Sequence, residues 1–107
     1  MAAVVSAKKG TLLIETNKKS DALYILIRGA VMVYSKAPES VAYSKVALMT
    51  PGESFGFFCI LTGDLPSETC ITCEDSILIK LNTETLIKLK STHKNTYLQF
   101  LNSFLSE

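Results

Sequence analysis

Short hydrophobic runs separated by turn-forming residues fill the first two thirds of the chain. They predict β-strands at residues 11–14, 23–28, 30–34, 43–49, 68–72 and 76–81. Because a glycine separates the second run from the third, we expect a tight antiparallel connection at Arg28-Gly29. Short antiparallel strands with turns about every 8–12 residues are typical of a β-sandwich or a β-barrel.

One short run in the middle of the chain departs from this pattern. Residues 57–61 are apolar throughout and lie between Gly56 and Gly63, which predicts a short helix opened by a glycine. The first amides of such a helix have no partner within it, so they can bind an anion. The one arginine of the chain, Arg28, lies far from this segment in the sequence. The segment therefore predicts an anion site that lacks a nearby guanidinium.

The last quarter of the chain changes to a helical spacing of hydrophobic residues. Asn82 or Thr83 can cap the first helix, because both side chains carry an oxygen that accepts a hydrogen bond from a first-turn amide. Residues 91–93 are polar and interrupt the pattern before a second, strongly apolar segment at residues 95–105. We therefore expect two helices here.

Length and composition indicate one globular domain. A chain of 107 residues has room for one core, and its 48% hydrophobic and 20% charged residues are typical of a folded protein. We expect a mainly β domain at residues 1–107, with a jelly-roll-like antiparallel β barrel at residues 8–81 and a helical tail at residues 82–107. No apolar run approaches the roughly 18 residues of a membrane span, and the first ten residues lack a signal-peptide pattern. The chain is expected to be a fragment of a larger protein.

Charge and cysteine content narrow the functional classes. A net charge of +1 with interspersed signs gives no basic face for nucleic acid. Cys70 and Cys73 form a CxxC in a strand-rich region, where structural thiols are favoured over a redox pair or a zinc site. The single histidine, His93, has no evident partner, so we expect neither an enzyme nor a cofactor. Reduced thiols suit a cytoplasmic setting, or the intracellular side of a membrane protein.

Several short segments, taken in order, resemble the cyclic nucleotide-binding domain family. The matching segments are Lys9-Gly10-Thr11-Leu12-Leu13-Ile14, Asp21-Ala22-Leu23-Tyr24-Ile25-Leu26 with Gly29, residues 48–56 with their Pro51-Gly52, and Thr69 with Ser76-Ile77-Leu78. The resemblance implies the fold of that family and makes residues 55–69 its phosphate-binding cassette. In the family, helix amides, one glutamate and one arginine of the cassette hold the cyclic phosphate and the ribose 2′-hydroxyl.

This sequence departs from the family at both charged positions of the cassette. The glutamate maps onto Phe57, and the arginine maps onto Ser67 or, in an alignment without a gap, onto Pro66. Phe57 and Phe58 either plug the pocket or belong to the core, and Thr69 either presents its hydroxyl to a ligand or simply favours a strand. The candidate ligand-binding residues implied by the resemblance are Gly56, Phe57, Phe58, Cys59, Ser67, Glu68 and Thr69.

The resemblance leaves several functions open for a noncatalytic regulatory domain. In the first, the domain is expected to sense cyclic AMP or cyclic GMP and to relay a helix movement to an attached effector. Alternatively, it is a degenerate member that binds no cyclic nucleotide and acts as a protein docking or autoinhibitory module. A third variant retains the pocket for a less charged ligand, because Phe57, Phe58 and Ile60 replace polar contacts. A β-rich interaction domain unrelated to nucleotides is the remaining alternative.

Overall fold

The computed structural model describes residues 2–37, 39–96 and 98 of the chain. Strands come first, one short helix interrupts them, and a longer helix follows them. The elements are β1 Ala2–Ala7, β2 Leu12–Ile14, β3 Ala22–Arg28, β4 Val31–Ser35, β5 Ser44–Met49, β6 Ser54–Phe55, α1 Phe57–Thr62, β7 Glu68–Thr72, β8 Ser76–Asn82 and α2 Thr83–Thr92.

The strands form two four-stranded antiparallel sheets. One sheet has the order β1-β8-β3-β6 and the other has the order β2-β7-β4-β5. The main hydrophobic core draws side chains from both sheets, including Leu26 and Leu78 from the first and Val31 and Val33 from the second. Both sheets therefore bury one face against a common core, and the predicted mainly β, jelly-roll-like fold is confirmed.

The connection predicted at Arg28-Gly29 is wrong. The two strands that it joins do not pair, since β3 lies in one sheet and β4 in the other. Gly29 has a φ of +100°, and a Cβ at this position would overlap the Ser76 hydroxyl oxygen and lie 2.7 Å from the carbonyl oxygen of Asp75. The glycine thus lets the chain pass closely over the start of β8 as it changes sheet, rather than reverse into a hairpin.

The sequence pattern did not predict two of the strands, β1 and β6. β1 lies at a sheet edge and pairs with β8 from Ala2 opposite Leu81 to Ala7 opposite Ser76. β6 has two residues and pairs with β3, and its Phe55 ring stacks on Tyr24 at a centroid distance of 5.3 Å. The β region therefore begins earlier than residue 8.

The helices follow the expected pattern where the structure describes them. Asn82 Oδ1 accepts hydrogen bonds of 2.8 Å from both the amide and the hydroxyl of Thr85, which confirms Asn82 as the cap of α2. The helical pattern is interrupted as predicted, but at His93 alone, because residues 91 and 92 still belong to α2 and residues 94–96 are helical again. Most of the second predicted helix, at residues 95–105, lies outside the described residues. In the described part of the chain, no helix has the length and apolar character that a membrane span requires.

Candidate functional site

A cavity of about 650 Å³ opens beside α1, between the start of that helix and the sheet that contains β7. Its walls are mostly apolar, and they come from both sheets, from α1 and from the loop that follows α1. The lining residues are Ile14, Val33, Ala47, Met49, Phe55, Gly56, Cys59, Asp64, Leu65, Pro66, Ser67, Glu68 and Cys70.

Gly56 sets the position of α1 at the cavity. It has a φ of +91°, and a Cβ there would lie 2.5 Å from the carbonyl oxygen of Ala22 and 3.1 Å from Cδ1 of Ile14. Only a residue without a side chain allows the chain to approach β3 so closely before the helix begins. At the other end, the amide of Gly63 donates to the carbonyl of Cys59 at 2.9 Å and ends the helix.

Hydrogen bonds to the neighbouring β2 region hold the far wall of the cavity. The amide of Asn17 donates to the carbonyl of the buried Pro66 at 2.9 Å. The Thr69 hydroxyl accepts from the amide of Thr16 at 3.1 Å and lies 2.8 Å from the Thr16 hydroxyl. These bonds fix the loop after α1 and the start of β7, so the wall is part of the folded scaffold.

The structure brings four of the residues implied by the resemblance to the cavity, namely Gly56, Cys59, Ser67 and Glu68. Phe57 is only 7% exposed and packs with Leu23 and Leu86 in a second hydrophobic cluster. The hydroxyl of Thr69 is engaged with Thr16, and Thr69 does not line the cavity. Phe58 belongs to α1, but its side chain lies outside the part of the chain that the structure describes.

Sequence reasoning missed the rest of the lining. Asp64 and Leu65 fall inside the segment identified as the cassette but were not singled out, and Pro66 was considered only as the alternative position of the family's arginine. Cys70 follows Glu68 by two positions on β7, so strand alternation alone places both side chains on one face. Strands β4 and β5 also line the cavity, although they are distant from the cassette in sequence, and no local sequence pattern predicts this contact.

The polar side of the cavity is acidic. Asp64 and Glu68 are the charged residues of the described lining, and no lysine or arginine occurs in that lining. The lone arginine, Arg28, borders a separate depression with Lys8 and Asp75. Asp64 and Glu68 also make no ion pair with any described residue, since the one ion pair in the described structure joins Lys88 to Glu84.

The two thiols of the cavity wall experience this acidic environment. Burial raises the pKa of Cys59, and the charges of Asp64 and Glu68 raise it further. Burial raises the pKa of Cys70 to about 12, with smaller contributions from Glu68 and Cys59. Both side chains therefore stay uncharged at neutral pH and act as apolar wall. No group of three or more His, Cys, Asp or Glu side chains among the described residues could hold a metal ion.

Comparisons with known proteins agree on one fold. Catabolite Activator Protein from Thermus thermophilus shares 22% identity with a TM-score of 0.87, over 98% of this chain and 48% of that one. A cyclic nucleotide-binding domain from Methylobacillus flagellatus shares 18% identity with a TM-score of 0.91, over 98% of this chain and 58% of that one. The chain thus spans about half the length of these solved structures.

A third solved structure is the regulatory subunit of a cAMP-independent protein kinase A from Trypanosoma brucei, with 18% identity and a TM-score of 0.73 over 97% of this chain and 41% of that one. No curated protein sequence matched the chain. The family model described as the cyclic nucleotide-binding domain matches residues 4–93, which is most of the chain. The chain therefore belongs to the cyclic nucleotide-binding domain family.

Proposed function

We propose that the chain is a noncatalytic regulatory domain of a larger protein. We further propose that the cavity of this domain does not accept cyclic AMP or cyclic GMP. The observation that carries the proposal is the charge of the cavity. Its described lining contains Asp64 and Glu68 and no basic side chain. The degenerate member of the family is thus favoured over the cyclic nucleotide sensor.

The energy of an unpaired phosphate supports this choice. A cyclic phosphate carries one negative charge, and a buried charge without its partner costs roughly 3–5 kcal/mol. This cost corresponds to about two to three and a half decades in Kd. Glu68 stands next to Ser67, the position onto which the family's arginine maps, so it adds repulsion where attraction is needed.

The position of α1 supports the regulatory role. The helix contributes Gly56 at its start and Cys59 to the cavity, while Phe57 packs against Leu86 of α2. A change in what fills the cavity would therefore shift α1 against α2, and α2 leads to the carboxyl-terminal end of the chain. An attached effector beyond that end would receive the movement.

The relative from Trypanosoma brucei supports the proposal by analogy. It is described as the regulatory subunit of a kinase that is cAMP-independent, and it shares the fold of this chain at a TM-score of 0.73. A regulatory protein with this fold thus operates without cyclic AMP.

The test is a titration of the isotope-labelled domain with cyclic AMP and cyclic GMP, followed by nitrogen–proton correlation spectra. We expect no saturable shifts up to millimolar nucleotide. Saturable shifts in α1 and residues 64–70 at micromolar nucleotide would overturn the proposal.

A variant with altered charge tests whether the acidic lining is the reason why the cavity excludes cyclic nucleotides. Ser67→Arg with Glu68→Gln places a guanidinium in the cavity and removes one carboxylate, at two exposed positions where folding should be unaffected. We expect this variant to bind a cyclic nucleotide at least about tenfold more tightly than the natural chain. Equal, undetectable binding by a folded variant would show that the shape of the cavity excludes the nucleotide instead.

A further inference from the structure

We propose that the cavity beside α1 binds a small organic ammonium ion with an apolar body, with the positive charge at Asp64 and Glu68. The proposal rests on the proposed function, because a cavity occupied by a cyclic nucleotide has no room for this ligand. It names a class of ligand for a cavity that is unsuited to the phosphate ligands of the family.

The walls of the cavity set the apolar part of the ligand. Its volume of about 650 Å³ lies within the range of small-molecule sites in proteins, roughly 300–1,000 Å³. Ile14, Val33, Phe55 and Leu65 supply apolar surface from four different segments of the fold. A ligand that fills this space releases ordered water from apolar walls, which favours a hydrocarbon or aromatic body.

The carboxylates set the charge of the ligand. Asp64 lies just after the end of α1 and Glu68 begins β7, so the two approach the cavity from different elements. Neither is paired with a cation among the described residues. Burial, and then the charges of Asp64 and Glu68, raise the pKa of the Cys59 thiol, which lines the same cavity. The negative potential of the two carboxylates attracts a cation and repels an anion.

Other occupants fit this site less well. An anion meets two carboxylates and no basic side chain in the described lining. A metal ion lacks a third ligand, since no group of three or more candidate side chains occurs among the described residues. A redox reaction of Cys59 and Cys70 needs a thiolate, and burial raises the pKa of both thiols. An organic cation uses both the charge and the apolar walls.

The experiment compares three probes that share a phenyl body and differ in charge: 2-phenylethylamine, 2-phenylethanol and 3-phenylpropanoate. Each is titrated into the labelled 107-residue chain at neutral pH, and shifts are followed in α1 and in residues 64–70. We expect the amine to bind about two- to fivefold more tightly than the alcohol, where fivefold is the upper limit of the gain from one exposed ion pair. We expect the carboxylate to bind more weakly than the alcohol.

Variants assign the preference to the named residues. Asp64→Asn with Glu68→Gln should remove the amine's advantage over the alcohol while the alcohol's affinity stays unchanged. Glu74→Gln removes an exposed carboxylate outside the cavity and should leave the ratio as it is. Retention of the advantage in the double variant, or its loss in the control, would overturn the proposal.

The remaining outcomes are also decisive. Equal affinity for amine and alcohol, shifts located away from the cavity, or no binding of any probe at millimolar concentration would each overturn the inference. The proposed function would survive those results, because it is tested separately with cyclic nucleotides. Binding of cyclic AMP or cyclic GMP by the natural chain would overturn both.

Discussion

The structure requires a glycine at position 29, and the cost of replacing it can be measured as a loss of stability. An alanine there would have a φ of about +100° and a Cβ in contact with the carbonyl of Asp75 and the Ser76 hydroxyl. We expect Gly29→Ala to lower the free energy of unfolding by more than about 3 kcal/mol, because steric overlap adds to a backbone strain of about 1–3 kcal/mol. Urea unfolding followed by circular dichroism measures the loss.

Gly52 provides the matched control for Gly29. Its φ is +95°, and a Cβ there would meet no atom within 4 Å. Gly52→Ala should therefore show the backbone strain alone, about 1–3 kcal/mol. Equal losses in the two variants would contradict the close passage of Gly29 over the start of β8.

Cys70 gives a second prediction at the scale of one residue. Burial raises its pKa to about 12, so at pH 8 about one molecule in ten thousand carries the thiolate. We expect iodoacetamide to alkylate Cys70 of the folded chain about a thousandfold more slowly than in urea, and the rate to rise as the pH is raised towards 12. Mass spectrometry of the peptides reports the rate at each cysteine, and equal rates in the folded and unfolded chain would contradict the burial.

At the scale of the element, Leu86 attaches α2 to the rest of the fold. Leu86 is 5% exposed and packs with Leu23 and Phe57, whereas the next residue, Ile87, is 61% exposed. We expect Leu86→Ala to lower the free energy of unfolding by about 2–5 kcal/mol and to speed amide exchange in α2. Ile87→Ala, the control on the same helix, should change stability by less than about 0.5 kcal/mol. Similar losses in both variants would contradict this packing.

The same element scale shows what local patterns could predict. Alternation and turn residues located most strands, the short helix α1 and the Asn82 cap, since each of these depends on residues close in sequence. The pairing of strands depends on residues that are far apart in sequence, so local patterns do not predict it. Tyr24 of β3 lies opposite Lys80 of β8, and the chain between them contributes to both sheets, so a glycine that looks like a hairpin turn can be a crossing between sheets.

For the whole molecule, the resemblance predicted more than the local pattern. It placed Gly56, Cys59, Ser67 and Glu68 together, and all four line the cavity. It could not locate the side chain of Phe57, because the family has a charged residue there and this chain has a core residue. Nor could it supply Val33, Ala47 and Met49, whose positions at the cavity depend on the folding of β4 and β5 around it.

The separation of cavity shape from cavity charge has a consequence for how such domains diversify. Asp64, Ser67 and Glu68 are exposed, so exchanging them leaves the packed core untouched, whereas Phe57 and Leu86 hold the helices together. Evolution can thus change the charge of the ligand that the cavity accepts by substituting these few exposed residues, without passing through an unstable intermediate. Such substitutions would alter the ligand preference of the cavity while Phe57 and Leu86 keep the helices packed.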